Sequence, residues 1–292
     1  MFSLRRLDLQ ARTVTTIAGT GAQARSVNVP GTGTEVALNS PWDLALLGTQ
    51  LFIAMAGPHQ VWVMNLETAS LEPYAGSGRE DIIDAPRRQA AMAQPSGIST
   101  DGTLLYVADS ETSAVRAVSL GINGVVKTIV GEGLFEFGDK DGVGKEQVRL
   151  QHPLGVTYHD NVLYVADTYN HKIKKIGPAT ATATTYLGSG KPGRRDGKAP
   201  EFYEPGGLSL AAGKLYIADT NNHAIRVADL ATGEVSTLTL RGLAAPMAVA
   251  GFSGTNFAAE GSGVLQGGGA GGVQAVVTST VSCHVARSAG EH

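Results

Sequence analysis

Residues 165–174 have the sequence VADTYNHKIK, and residues 217–226 have the sequence IADTNNHAIR. In each stretch, a run of β-branched and small residues ends at an aspartate, a polar turn follows, and a second apolar run begins. A repeated unit restricts the fold more strongly than composition does. The turn between the two runs therefore defines a unit with which the rest of the chain can be aligned.

Two more units share this spacing, although their turns have diverged. A proline stands 14 residues before the aspartate position in all four units, which run from Pro41 to Met55, Pro95 to Asp109, Pro153 to Asp167 and Pro205 to Asp219. Successive prolines are 54, 58 and 52 residues apart. All of this variation lies between the last strand of one unit and the proline of the next, where repeat proteins have surface loops.

Each unit contains four short strand-like runs separated by turns rich in Gly, Asp and Asn. Three of the units reach a glycine after the last run, at Gly76, Gly131 and Gly188. No long segment has a sustained helical period. Four antiparallel strands that recur in this way predict an all-β fold, a β-propeller built from four-stranded blades.

The stretches at 165–174 and 217–226 resemble the NHL repeat, a family named after its Asn-His-Leu positions. The matching residues are Asn170 and His171 in one unit, and Asn222 and His223 in the next. The resemblance covers residues 1–242 and extends to propellers that follow a thioredoxin-like domain. It implies NHL-type blades, six in a complete ring, that serve as a binding scaffold. Because the chain has no Cys-x-x-Cys motif, the redox chemistry of such a domain is not expected here.

The first 20 residues align with the second half of a unit, since residues 4–9 match 225–230 in sequence. We therefore expect four full repeats plus a half repeat, either as an incomplete six-bladed propeller or as a closed five-bladed one. In one interpretation, residues 246–260 close a ring of five, because Pro246 and Glu260 repeat the spacing of 14. In the other, they belong to an unrelated or frame-shifted tail.

The predicted domain boundaries follow from this alignment. A propeller occupies residues 1–242, and a Gly-rich C-terminal segment occupies 243–292 as a degenerate closing blade or a tail. The predicted parts of the propeller are a half blade at 1–20 and repeats at about 36–78, 90–133, 148–190 and 200–242.

Composition excludes several classes of protein. The 42% of apolar residues is too many for a largely disordered chain, and no apolar run is long enough to predict a membrane-spanning helix. The single cysteine, Cys283, rules out an internal disulfide. A net charge of −3 gives no positive field for nucleic acid. Since there is no signal-peptide core, we expect a cytoplasmic protein, or a fragment whose true N-terminus is missing, with no membrane partner.

The repeated polar residues have two interpretations. Asp109, Asp167 and Asp219 form either a ring of carboxylates that faces a ligand or structural groups that accept N–H bonds within their own turns. The structural interpretation is favoured, because recurrence of the aspartate in successive units follows from its being part of the unit. It extends to the other motif residues, which are Asn170, His171, Asn222 and His223.

One basic position also recurs, at Arg116, Lys174 and Arg226. Polar side chains on strands usually face solvent, so a stripe on the blade surfaces is expected. Basic NHL propellers can bind RNA, but only one unit here has a cluster of lysines, so RNA is not the expected partner.

The long loops between units are the predicted binding region, because loops on a rigid scaffold usually carry recognition. The candidate binding residues are Phe135, Phe137, Arg194, Arg195 and Tyr203. In the alternative interpretation, Phe135 and Tyr203 pack between blades. The segment 138–144 has a faint likeness to a calcium loop but lacks the spacing of an EF-hand, which favours a turn.

No catalytic motif is evident, since both the G-x-S-x-G and the H-E-x-x-H patterns are missing. We therefore predict a non-catalytic scaffold for a protein or small-molecule partner, without catalytic, metal or cofactor residues. The alternative is a calcium-dependent propeller hydrolase, lactonase or lyase whose site lies in the central channel.

Overall fold

The computed structural model describes residues 2–25 and 29–240, together with strands Gln274–Val277 and Cys283–Ala286. Four antiparallel sheets follow one another along the chain, and the innermost strands of successive sheets lie side by side. This is the arrangement of propeller blades, so the predicted all-β propeller fold is confirmed. Among the described residues, no helix is long and apolar enough to cross a membrane.

The strands have the following bounds. An N-terminal pair consists of β1 (Phe2–Asp8) and β2 (Thr13–Gly21). Blade 1 contains β3 (Gly31–Thr32), β4 (Pro41–Leu47), β5 (Gln50–Met55), β6 (Gln60–Asn65) and β7 (Ser70–Ala75). Blade 2 contains β8 (Ala85–Pro86), β9 (Pro95–Thr100), β10 (Leu104–Asp109), β11 (Ala114–Ser119) and β12 (Val125–Val130).

Blade 3 contains β13 (Gly142–Val143), β14 (Pro153–His159), β15 (Val162–Asp167), β16 (Lys172–Gly177) and β17 (Thr182–Leu187). Blade 4 contains β18 (Pro205–Ala211), β19 (Lys214–Asp219), β20 (Ala224–Asp229) and β21 (Val235–Thr237). The C-terminal strands, β22 (Gln274–Val277) and β23 (Cys283–Ala286), pair with each other. One short helix, α1 (Gly144–Gln147), and three 3-10 turns complete the described elements, the turns being Gly33–Glu35, Thr168–Asn170 and Thr220–Asn222.

Each blade has four long strands in sequence order, and the innermost strand begins at the repeated proline. In blades 1 to 3, a fifth strand of two residues pairs with the outermost long strand. It comes from the loop that connects the blade to the preceding part of the chain. The connecting loop therefore crosses the outer edge of the blade before it reaches the innermost strand.

The core lies between facing blades. Phe52 and Val61 of blade 1 pack against Ile98 and Leu105 of blade 2, and similar apolar layers join blades 2 to 3 and 3 to 4. The pair β1–β2 packs its own apolar face against blade 1. Burial on both faces explains why the strands are rich in Val, Ile, Leu and Ala instead of alternating strictly with polar residues.

The innermost strands approach one another so closely that a side chain is excluded at some positions. A Cβ atom on Gly155 would lie 2.3 Å from the carbonyl oxygen of Gly206, and one on Gly97 would lie 2.7 Å from that of Leu154. Blade 1 has Asp43 at the matching position, where its Oδ2 accepts the N–H of Ile98 at 2.9 Å. Part of the high glycine content is therefore required by the convergence of the blades.

The half repeat forms a two-stranded sheet, in which β1 pairs with β2. The segment 246–260, which one interpretation assigned to ring closure, lies outside the described residues.

Candidate functional site

The turn after the second long strand of each blade defines one end of the molecule, called the upper end below. Four residues at matching positions in these turns have left-handed backbone conformations, with φ of 56°, 49°, 55° and 50° at His59, Ser113, His171 and His223. A non-glycine residue is uncommon in this region unless its side chain makes local hydrogen bonds. The turns therefore place a polar side chain at the same point of every blade.

Asp109, the last residue of β10, is fully buried and lies directly beside the turn of blade 2. Its Oδ1 accepts the N–H of Ala93 at 2.7 Å, and its Oδ2 accepts Nη1 of the fully buried Arg116 at 2.9 Å. Burial raises the pKa of Asp109 to about 6, although Arg116 and the N–H of Ala93 oppose that rise. A buried carboxylate with these partners is committed to structure.

Arg116 extends the network to the connecting loop at 76–94. Its guanidinium donates to the carbonyl oxygens of Ala91 (3.0 Å) and Ile83 (3.2 Å) and to Oδ1 of Asp84 (3.0 Å). Asp84 also accepts the N–H of Thr128 on the outermost long strand at 2.9 Å. Burial works against ionisation of Asp84, but hydrogen bonds from Thr128 and Arg116 hold its pKa below the ordinary value. The arginine thus joins the loop to the blade that follows it.

Blade 4 repeats this arrangement. Arg226 donates to Asp219 Oδ2 at 2.7 Å and to Asp196 Oδ1 at 2.6 Å, and it also bonds the carbonyl oxygens of Arg195 and Glu201. Like Arg116, it is fully buried.

Blade 3 has a lysine at the same position, and the geometry changes. Lys174 Nζ lies 2.8 Å from Asp139 Oδ1 and 2.8 Å from Asp141 Oδ1, but 3.9 Å from Asp167 Oδ2. An ammonium group cannot bind the loop carboxylates and Asp167 at the same time, as a guanidinium fork does with the corresponding groups in blades 2 and 4. Burial consequently raises the pKa of Asp167 to about 7, against the opposing hydrogen bonds of Asn170 and Gln151.

Blade 1 lacks the network altogether. Met55 stands at the aspartate position and Trp62 at the arginine position, and both are buried. The registers of the outer strands also place Pro30 where the other blades have Asp84, Asp141 or Asp196, and Pro73 where they have a threonine. All four positions of the network therefore hold apolar residues in blade 1, where the other blades have charged or polar ones.

These contacts overturn two expectations from the sequence. The predicted stripe of Arg116, Lys174 and Arg226 on the blade surface is wrong, because each side chain is buried by the connecting loop. The aspartates do accept backbone N–H groups, but these donors stand 16 residues upstream in the connecting loop and not in the turn.

The asparagines of the motif reinforce the same junction. Asn170 Nδ2 donates to Asp167 Oδ2 at 2.8 Å and to the carbonyl oxygen of Gly138. Asn222 makes matching bonds to Asp219 and Gly193. Their side chains therefore tie the turn to the loop, while the left-handed backbone conformation lies at the following histidine.

The residue at the left-handed position joins neighbouring blades. His59 Nδ1 accepts the N–H of Gln94 at 3.1 Å, and His171 Nδ1 accepts the N–H of Glu204 at 3.1 Å. In blade 2, Ser113 Oγ accepts the N–H of His152 at 3.3 Å. Each donor is the residue directly before the proline of the next blade, so the motif histidine links one blade to the next.

Comparison with known proteins agrees with this geometry. The model of the NHL repeat family matches residues 150–176 and 202–228, which contain the turns of blades 3 and 4. The chain is an NHL-repeat β-propeller. NHL repeat-containing protein 2 of Bos taurus is 44% identical over 269 residues, which cover 80% of this chain and 37% of that protein.

A plant relative, Protein SUPPRESSOR OF QUENCHING 1, chloroplastic, of Arabidopsis thaliana, is 42% identical over 261 residues, or 84% of this chain and 25% of that protein. The chain thus spans only 37% of the length of the first relative and 25% of the length of the second. A solved nidogen/laminin complex contains a chain with 14% identity and a TM-score of 0.43, over 81% of this chain and 90% of that chain.

The predicted binding residues of this propeller lie on the connecting loops but differ in availability. The side chains of Phe135 and Phe137 are 86% and 55% exposed, so Phe135 does not pack between blades. Arg194 is exposed, and the described residues contain no ion-pair partner for it. Arg195 is already engaged with Glu201 at 3.0 Å and with the carbonyl oxygen of Ala199.

The position of Tyr203 agrees in part with both interpretations of the sequence, an exposed binding residue and a residue packed between blades. It is 40% exposed, and its ring also contacts His171 edge-on at 5.5 Å. The loop at 138–144 uses Asp139 and Asp141 to bind Lys174. Within the described residues, no group of three metal-ligating side chains comes together.

A second set of residues at the upper end is not among those predicted from the sequence. His152 stacks on Tyr169 with ring centroids 4.6 Å apart, and its Nε2 lies 3.3 Å from Oε2 of Glu111. Glu204 Oε2 accepts Nδ2 of Asn221 at 2.6 Å. These residues stand either two positions after the aspartate position or directly before the proline, so the repeat alignment contains the signal that brings them together.

Proposed function

We propose that this NHL propeller is a non-catalytic interaction module that presents its connecting loops to a protein partner. The proposal rests on one observation, the exposure of Phe135 and Phe137 on a loop that is fixed at both ends. Exposed aromatic side chains close together on an ordered surface are typical of protein-binding sites.

The anchoring of this loop supports the proposal. Asp139 and Asp141 bind Lys174 of blade 3, Arg149 pairs with Glu132, and the N–H of Gly138 donates to the carbonyl oxygen of Leu150 at 3.0 Å. A fixed loop loses little conformational entropy on binding, which favours affinity. The motif carboxylates, by contrast, are engaged in the blade-to-loop junctions and have no free face for a substrate.

Site-specific photo-crosslinking tests the proposal. A benzoylphenylalanine at position 135 should crosslink to a discrete protein in an extract of the source cells. The matched control is the same residue at position 122, because Ile122 is 97% exposed but lies at the opposite end of blade 2. Equal labelling from both positions, or none from position 135, would contradict the proposal.

The calcium-dependent alternative makes a different prediction. Calcium bound at a channel site would raise the melting temperature, and EDTA would reverse the rise. A calcium-dependent rise in the melting temperature, together with an absence of crosslinks from position 135, would favour the calcium-dependent enzyme over the scaffold.

A further inference from the structure

A continuous strip of side chains runs over the upper end of blades 2, 3 and 4. Its members are Glu111, His152, Tyr169, His171, Tyr203 and Glu204. Each contacts the next in space or lies in the same turn or loop, and none of the six side chains belongs to the ion-pair networks that fix the connecting loops. We call these six residues the upper strip.

The aromatic rings of the upper strip are partly open to solvent. Tyr169 is 47% exposed and Tyr203 is 40% exposed, although both have a stacking or edge contact with a histidine that holds the ring in place. The rings are therefore ordered, and each keeps surface available for a partner. An exposed, oriented phenol ring attracts a cation to its face.

A carboxylate stands at each end of the strip. Glu111 uses Oε2 to contact His152, and Glu204 uses Oε2 to accept a hydrogen bond from Asn221, while Oε1 of each has no hydrogen-bond or ion-pair partner among the described residues. No lysine or arginine in the described part of the chain lies within ion-pair distance of either carboxylate. The strip thus combines carboxylates that no described lysine or arginine pairs with and aromatic faces.

This combination of groups fits a positively charged, extended chain. Arginine and lysine side chains bind carboxylates through charge-assisted hydrogen bonds and also pack on aromatic rings. An anionic or purely apolar partner would gain nothing from the two glutamates. The charge complementarity therefore selects the class of partner.

We propose that the upper strip binds a basic peptide segment of a partner protein, with cations held by Glu111 and Glu204 and aliphatic or guanidinium groups packed on Tyr169 and Tyr203. This inference goes beyond the proposed function and names the chemistry of the partner. It assigns binding to a surface distinct from the phenylalanine loop.

Fluorescence anisotropy with defined peptides provides the test. The probe is a fluorescein-labelled peptide of about 12 residues that alternates Arg and Gly, which is about 40 Å long when extended. The comparison peptide alternates Glu and Gly. The full chain should bind the basic peptide, weakly and with a dependence on salt, and should not bind the acidic one.

Charge-matched variants separate the strip from bulk electrostatics. E111Q/E204Q should weaken binding of the basic peptide about fivefold to tenfold, as expected for two exposed ion pairs. E67Q/E72Q removes the same charge from exposed glutamates elsewhere on blade 1 and should change the affinity less than twofold. Y169A/Y203A should weaken binding about fivefold, whereas Y169F/Y203F, which keeps the rings, should not.

Each outcome decides the matter. Equal losses in the two glutamine pairs, or no loss in either, would overturn the inference in favour of non-specific attraction. A dimer of the chain that E111Q/E204Q abolishes would overturn it in favour of a second copy. Crosslinks from position 135 without peptide binding would leave the proposed function standing and refute only this inference. Peptide binding without crosslinks from position 135 would support this inference and contradict the proposed function.

Discussion

The guanidinium of Arg116 and the carboxylate of Asp109 form an ion pair of 2.9 Å in which neither side chain has any exposed surface. Burying two charges is costly unless the geometry is good and the remaining polar atoms are also bonded. Here Ala93, Ala91, Ile83 and Asp84 supply all of those bonds except one to Nε of Arg116, which has no partner, and all four belong to the connecting loop. The pair is thus the joint at which a loop of variable length is attached to a blade of constant geometry.

Removal of one partner from this joint should be severely destabilising. In R116M, Asp109 keeps its burial but loses its counter-ion, so the free energy of unfolding should fall by about 3–5 kcal/mol. Urea denaturation followed by circular dichroism measures the loss.

The double variant D109M/R116M is the matched control for that experiment. It copies the apolar character of blade 1, where Met55 and Trp62 stand at the same positions. The double variant should be more stable than R116M alone, because no charge is left buried without a partner. A double variant as unstable as the sum of its single variants would show that the two side chains act independently.

The lysine of blade 3 leads to a pH-dependent prediction. The pKa of buried Asp167 is about 7 in the folded protein, against an ordinary value of 3.8. The folded state therefore binds more protons than the unfolded chain between about pH 4 and pH 7. The contribution of this group to stability is complete below pH 4 and is lost as the pH rises to 7, at no more than about 1.4 kcal/mol per pH unit.

Two variants isolate that contribution. D167N removes the titration, so its unfolding free energy should lack this fall between pH 4 and pH 7. K174R introduces the fork that reaches Asp109 and Asp219 in the neighbouring blades, at 2.9 Å and 2.7 Å, and should therefore lower the pKa of Asp167. Urea denaturation at a series of pH values checks both, and parallel curves for the wild type and D167N would exclude Asp167 as the source.

The sequence predicted the blades well because their signals are local. The spacing of 14 from Pro153 to Asp167 is the length of two strands and one turn, and the structure pairs these two residues across β14 and β15. Such a hairpin is determined by residues that are close in the chain.

The joints were harder to predict because their partners come from a segment of variable length. Nothing local distinguishes a buried Arg116 from an exposed one, since the groups that cover it, Asp84 and Ala91, lie 32 and 25 residues upstream. The polar character of arginine alone suggested a surface position. The repeat alignment does contain a usable signal, because an aspartate precedes the outer two-residue strand in blades 2 and 3 and the matching bridge of Gly197 to Val235 in blade 4. Blade 1 has no such aspartate, and Met55 and Trp62 stand at its ion-pair positions.

The candidate binding residues likewise include some that the sequence predicted and some that only the structure reveals. The sequence alone could not decide whether Phe135 is exposed or packs between blades, and the structure shows that it is exposed. Tyr169 and Glu111 attracted no notice in the sequence because they stand in turns whose residues differ from blade to blade. Only the spatial order of the blades makes them neighbours of His152.

The glycine that follows the outermost long strand in blades 1, 2 and 3 should tolerate no side chain. Gly188 has φ of +98°, and a Cβ atom there would lie 2.5 Å from the carbonyl oxygen of His171. G188A should lower the free energy of unfolding by several kcal/mol. The control is G102A, since Gly102 also has positive φ (+91°) but has open space around it, and should cost only about 1–2 kcal/mol. Equal effects would mean that backbone conformation alone requires the glycine.

The histidine of the NHL motif should act as a hydrogen-bond acceptor between blades. Loss of the bond from the N–H of Glu204 to His171 Nδ1 removes about 1 kcal/mol of local protection, so H171A should speed hydrogen exchange of the Glu204 amide about fivefold. H171S is the matched control, because Ser113 makes the corresponding bond in blade 2 with the same backbone conformation. Exchange measured by NMR should be slower in H171S than in H171A. Identical rates in the two variants would mean that the imidazole ring contributes only through its packing against Tyr203 and not as an acceptor.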